Sequence, residues 1–331
     1  MELLCPAGAL PALKAAVDNG ADWVYAGLRD DTNARNFPGL NFDDASLGEG
    51  IAYAHRHRRK VLLAVNTYPQ TAAWRRWTGA IDRAVSLGAD AVIIADAGLL
   101  RYASRNHPNL ELHLSVQASA TSYEAINFFH EHFGIKRAVL PRVLSLAQVE
   151  QIVRRTPVDI EVFGFGGLCV MVEGRCSLSG YACGEAPNIA GACSPAWAVR
   201  WAQTPAGLES RLNGVLINRF AADERAGYPT ICKGRYAAGG ETYYAFEEPA
   251  SLNTLELLPQ FLAMGVRAVK IEGRQRSPAY VAQVTRAWRE AIDAAEQEGV
   301  AFRPRGKWTA ALARNAEGSQ CTLGAFSRPW K

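Results

Sequence analysis

The sequence predicts an α/β protein, a TIM-like (β/α)8 barrel with a cysteine-rich insertion after the seventh strand, and three observations predict it. Short apolar runs alternate with helix-like segments through the first half, at the spacing of repeated strand–helix units and hence of a parallel sheet. A similar turn precedes a strand three times, as Gly20-Ala21-Asp22, Gly88-Ala89-Asp90 and Gly265-Val266-Arg267, which favours a repetitive closed barrel over an open sheet. After a long break, an eighth apolar run is followed by a long helix that closes the alternation.

In order, ELLC (2–5) reads as the first strand, and LPALKAAVDNG as a helix stopped at Gly20. WVYAG (23–27) is the second strand. HRHRRK (55–60) lies between helix-like AYA and the third strand, VLLAV (61–65), and reads as the solvated end of a helix rather than a phosphate patch. WRRWTGAIDRAVSLG is the next helix, again stopped by glycine, before AVIIA (91–95). LHLSV (112–116), SYEAINFFHEHFG, AVLP (138–141) and SLAQVEQIVRRT continue the pattern, with Ser145 as an N-cap. IEVFGF (160–165) is the seventh strand, AVKIEGR (268–274) the eighth, and residues 278–299 the closing helix. The chain thus reads as a single barrel domain over 1–331, with 166–250 as the cysteine-rich insertion. Loops that follow barrel strands lie at the C-terminal face, where active sites form. The final thirty residues read as irregular.

A chain of 331 residues has room for a barrel and an insertion, and 49% hydrophobic with 21% charged residues is ordinary for a folded globular protein. The formal net charge of +4 comes without a dense Lys/Arg run, so no nucleic acid is expected as a partner. The start lacks the basic region and apolar core of a signal peptide, and no stretch approaches a membrane span, so a cytoplasmic location is expected. In a reducing compartment seven cysteines are a poor disulfide framework and a better metal or cofactor set.

Cys169, Cys176, Cys193 and Cys232 are spaced C-x6-C-x16-C-x38-C among glycines and small residues. Paired CxxC knuckles, the mark of a structural zinc site, are missing. The spacing alone leaves iron–sulfur, zinc and unliganded thiols open. Cys183 lies between the second and third and is an alternative ligand; Cys5 and Cys321 read as ordinary small residues.

EVFGFGGLCVMVEGRCSLSG followed by PNIAGACSP resembles the signature of peptidase family U32. CPAG near the start and KIEGRQRSPAYV near the end match that family too, as do RDDTNARNFPGLNF (29–42), SRLNGVLINRF (210–220), AGYPTICKGRY (226–236) and SLNTLELLP (251–259). The resemblance extends from Met1 to about residue 325, and is strongest to the branch that serves oxygen-independent ubiquinone biosynthesis. It implies a 4Fe-4S cluster on Cys169, Cys176, Cys193 and Cys232 and a cluster-bearing paralogous partner, UbiV, in a heterodimer. It also implies hydroxylation of the aromatic ring of a quinone precursor without O2, with prephenate as a candidate hydroxyl donor. Cys183 departs from the pattern. Phe165 stands where many relatives have His, which removes a base and weakens a peptidase reading. RNA-base hydroxylation, known in sister branches, a peptidase and a zinc-stapled scaffold remain the alternatives.

Polar residues at strand C-termini are the natural substrate groups in a barrel. Asn66, Gln117 and Arg142 are the candidates for substrate binding, and Glu272 and Arg274 for catalysis, with Asp96 a further polar group. Arginines suit a dicarboxylate through two-point contact, and Glu272 suits proton transfer. The competing reading is that Lys270, Glu272, Arg274 and Arg276 satisfy one another. Arg35 and Asn36 are weaker candidates in the loop after the second strand. GFGG lacks the helix and acidic partner of a dinucleotide site, and neither a G-x-S-x-G elbow nor an H-E-x-x-H motif is present.

Overall fold

Seven consecutive parallel strands build most of a barrel in the computed structural model, which describes residues 1–318 and 320–328. They are β1 (Glu2–Pro6), β2 (Trp23–Gly27), β3 (Lys60–Val65), β4 (Ala91–Ile94), β5 (Glu111–Leu114), β6 (Arg137–Val139) and β7 (Asp159–Gly167). Apart from a charged first residue on five of them and the internal His113 and Glu161, their residues are largely apolar and buried, as in a sheet covered by helices outside and side chains within. The covering helices are α1 (Leu10–Asp18), α2 (Asp44–Arg56), α3 (Trp74–Ser86), α4 (Ala97–Asn106), α5 (Tyr123–Phe133) and α6 (Leu146–Arg155). In α3 the buried side is Trp77, Ala80, Ile81 and Ala84, the i, i+3, i+4, i+7 stripe of an amphipathic helix. Ser145 caps α6 as expected, in a reciprocal box with Gln148.

The recurrent turn has a physical basis. Gly20, Gly88 and Gly265 all take left-handed backbone angles (φ +98°, +82° and +88°). Asp22 and Asp90 then accept hydrogen bonds from the N–H groups of Leu3 and Val61, each on the preceding neighbour strand, at 2.8 Å.

Between β7 and the eighth barrel strand the chain forms short helices α7 (Leu178–Cys183) and α8 (Pro187–Ala190), then an antiparallel sheet of β8 (Val199–Thr204), β9 (Gly207–Leu212) and β10 (Val215–Phe220). A hairpin follows, β11 (Arg235–Ala238) with β12 (Glu241–Tyr244), and then β13 (Ala250–Asn253) pairs antiparallel with the end of β7, Ser251 opposite Gly167. Helix α9 (Leu258–Met264) leads into β14 (Ala268–Ile271), which pairs parallel with both β7 and β1 and closes the barrel. The closing helix is α10 (Pro278–Glu298), capped by Ser277.

The final thirty residues correct the expectation of irregular chain. They hold α11 (Gly306–Asn315), which buries Trp308 and Leu312, and β15 (Gln320–Thr322), which pairs parallel with β13. No helix among the described residues is long and apolar enough to cross a membrane.

Inside the barrel, Lys270 donates to Glu161 at 2.8 Å, and Arg137 stands 3.6 Å from the same carboxylate. Burial pushes the Glu161 carboxyl up, but the Lys270 and Arg137 charges prevail and hold it below the ordinary carboxylate value. These three charges neutralise one another within the barrel, away from the strand C-terminal ends.

Candidate functional site at the barrel mouth

The glycine-rich segment after β7 turns back over the C-terminal end of the barrel, and packing explains its glycines. A Cβ on Gly174 would lie 1.9 Å from the carbonyl oxygen of Gln117, in the loop after β5, so only glycine lets the Cys176 turn seat there. Asn188 donates to the Gly174 carbonyl at 2.7 Å, and the Asn188 carbonyl accepts from the N–H of Tyr68, after β3, at 3.0 Å. The cysteine-bearing loops are therefore hydrogen-bonded onto the barrel loops.

This docking gathers the four cysteines of the spaced set. The Cys169 thiol lies within electrostatic range of Cys232, and Cys193 of Cys176; Cys232 feels both Cys193 and Cys176. All are free thiols. Burial pushes the Cys169 thiol up to about 12, with the nearby Glu173 charge adding to it, and raises Cys193 and Cys232 as well. Cys183 is elsewhere: it is buried with Ala198, Leu212 and Ile217 in the small apolar core of the β8–β10 sheet.

Four thiols with no carboxylate or imidazole among them are a donor set open to an iron–sulfur cluster and to zinc alike. Among the described residues no three His, Cys, Asp or Glu side chains converge as the ligands of one ion would. Such a donor set is compatible with an iron–sulfur cluster, and Cys169, Cys176, Cys193 and Cys232 are the residues that would hold it.

Beside the thiols lies a polar group built from strand ends. Arg35, half-buried in the loop after β2, is within electrostatic range of Cys193, Cys169, Tyr25 and Glu272, and its Nη2 is 3.5 Å from Glu272 Oε1. Glu272 Oε2 accepts from the Gly167 N–H at 2.9 Å. Burial opposes ionisation of Glu272, yet the Arg35 and Arg142 charges and the Gly167 hydrogen bond hold it below the ordinary carboxylate value. Arg274 is 4% exposed, and its Nε and Nη1 have no hydrogen-bond partner among the described residues. Burial lowers this guanidinium to about 10. Its carbonyl oxygen sits 1.9 Å from where a Cβ on Gly8 would be, so CPAG and KIEGR, far apart in sequence, are one contact in space.

The other candidates are placed as follows. Asn66 accepts from the Ala34 N–H at 2.9 Å and donates to Ser115 at 3.2 Å, which fixes the Arg35 loop. Gln117 is buried in the turn after β5, and its carbonyl accepts from the Tyr68 hydroxyl at 2.7 Å. Arg142 donates to Glu173 at 2.5 Å and lies 3.5 Å over the Phe163 ring, so it is already partnered. Asp96 caps α4 through the Leu99 N–H. The four charges on and just after β14 do not pair with one another: Lys270 turns to Glu161, Glu272 to Arg35, and Arg276 to Glu317 at 2.9 Å. Glu173, Glu317 and Tyr25 belong to the site and were not singled out in the sequence, because their partners lie in distant segments.

The fold defines a TIM-like barrel protein, with the segment between β7 and β14 docked on the loops after β3 and β5 and the buried Arg142 and Arg274 near the strand ends. The model of peptidase family U32 matches residues 8–327, and the chain belongs to that family. It is 34% identical over 298 residues to an uncharacterized protease of Methanocaldococcus jannaschii, covering 88% of this chain and 65% of that protein. It is 33% identical over 313 residues to tRNA hydroxylation protein P of Escherichia coli (88% and 68%). A third relative, the 23S rRNA 5-hydroxycytidine C2501 synthase of Escherichia coli, is 28% identical (90% and 40%). The chain spans about two thirds of the length of the first two.

Proposed function

We propose that this chain is the iron–sulfur subunit of an oxygen-independent hydroxylase acting on the aromatic ring of a ubiquinone precursor, a UbiU-like protein working with UbiV. The convergence of Cys169, Cys176, Cys193 and Cys232 beside Glu272, Arg35 and Arg274 is the observation that supports it. A 4Fe-4S cluster, when bound, supplies a one-electron store. The chain's own residues do the rest. Arg274 offers two unpartnered buried N–H groups to a carboxylate, which suits an anionic hydroxyl donor such as prephenate. Arg35 is within electrostatic range of both Arg274 and the Cys169 and Cys193 thiols. Glu272, ionised at neutral pH, accepts a proton at a carboxylate oxygen rather than donating one. The family's peptidase label finds little support here, since Phe165 offers no base and is 1% exposed.

A second reading rests on a specific finding: two relatives are named for hydroxylation of tRNA and rRNA, and on it the ring acted on is a base in RNA. A deletion strain grown without oxygen separates the two. Loss of quinone with intact RNA hydroxylation supports the first, and the converse supports the second. Protein purified anaerobically with zinc in place of iron and sulfide would move the cysteines to a scaffold role.

A further inference from the structure

The segment that follows α11 touches two of the four cysteine loops from outside. Glu317 uses both carboxylate oxygens: Oε2 accepts from Lys233, the neighbour of Cys232, at 3.1 Å, and Oε1 accepts from Arg276, after β14, at 2.9 Å. Its own N–H donates to Ser251 Oγ on β13 at 2.7 Å. The chain is pressed close here, since a Cβ on Gly318 would lie 1.7 Å from the Pro249 carbonyl oxygen. Further on, a Cβ on Gly324 would lie 2.9 Å from Leu168, the neighbour of Cys169. Phe326 packs on the buried group of Val139, Phe163, Leu168 and Leu252, and its ring stands 5.4 Å from that of Phe261.

We propose that this segment is a clasp: Glu317 ties the Cys232 loop to the loop after β14 while Gly324 and Phe326 hold Leu168, so the first and fourth cysteines are fixed relative to each other and to the barrel. Cys176 is held instead by the docking of Gly174, and Cys193 by its neighbour Ser194, whose hydroxyl donates to the Pro229 carbonyl at 2.6 Å. Glu317 is a positioning residue, acting through Lys233.

The clasp rests on the reading of the four cysteines as one ligand set, and its test is made on metal-free protein so that the two can fail separately. Iodoacetamide labelling is followed per cysteine by mass spectrometry. Glu317→Ala should raise the labelling rate of Cys232 about three- to tenfold, the scale of losing the two partly exposed ion pairs that link its loop to the loop after β14. Phe326→Ala should raise Cys169 similarly, with Cys176 changing less than twofold in both. Cys5, buried beneath Thr285, reports global unfolding. If Cys5 also becomes reactive in Glu317→Ala, the milder Glu317→Gln decides, with Cys232 again expected to rise. Cys232 unchanged within twofold, with Cys5 protected, overturns the clasp. That outcome leaves iron loss on Cys176→Ala untouched, and absence of iron leaves the labelling result standing.

Discussion

Replacing Gly174 by Ala attacks the seat of the Cys176 turn on the barrel, and the structure sets the size of the effect. Gly174 has φ +87°, so any other residue there pays the left-handed cost of about 1–2 kcal/mol. The new Cβ must also move from 1.9 Å to beyond 3.0 Å from the Gln117 carbonyl oxygen, and that atom is backbone. Forcing apart two packed main-chain segments costs about 1–3 kcal/mol more. Gly184 is the control: its φ is +73°, but nothing lies within 4 Å of its Cβ position. In urea denaturation of metal-free protein, Gly174→Ala should lose about 2–5 kcal/mol and Gly184→Ala only about 1–2. Equal losses for the two, within about 0.5 kcal/mol by the usual extrapolation, would refute the close docking of the insertion on the β5 loop.

Three further outcomes follow from the same geometry. Arg274→Met removes a buried charge with two unpartnered nitrogens, so thermal melting should hold steady or rise by a few degrees while affinity for a dicarboxylate probe falls about 10–100-fold, the worth of charge-assisted hydrogen bonds; a destabilised Arg274→Met would show that the guanidinium is structural. His113, whose protonation is resisted by burial, is held below its ordinary value of 6.5. It is neutral in both folded and unfolded chain above that pH, and below it the unfolded chain takes up a proton the fold refuses, so stability declines as pH falls from about 6.5. Denaturation midpoints between pH 7 and 5 should show this slope, and His113→Gln should flatten it. Cys183→Ala should leave iron content unchanged, because that thiol packs with Ala198, Leu212 and Ile217 rather than with the other four cysteines; measured loss of iron would place it among the ligands.

The barrel was legible because its strands are short, largely apolar and buried runs and α1, α3, α5 and α9 stop at a left-handed glycine. β13 and β15 were not, since strands of four and three residues with Asn253 or Gln320 at an end carry no period. Cys169, Cys176, Cys193 and Cys232 were visible as a residue type in glycine-rich surroundings. Glu272 and Arg274 were visible by position after a strand. Their partners were not: the Arg142–Glu173 pair joins two loops, and Glu317 meets Lys233 across 84 positions of sequence. That Lys270, Glu272, Arg274 and Arg276 satisfy one another was the competing reading, because they are close in sequence, but Lys270, Glu272 and Arg276 turn to partners in distant segments.

Iron and acid-labile sulfide, measured with the absorption spectrum on protein purified without oxygen alongside its candidate partner, test the central claim most directly. About four irons and four sulfides per chain, lost on Cys176→Ala and kept on Cys183→Ala, are the predicted result. Zinc alone, or no metal under those conditions, would contradict it.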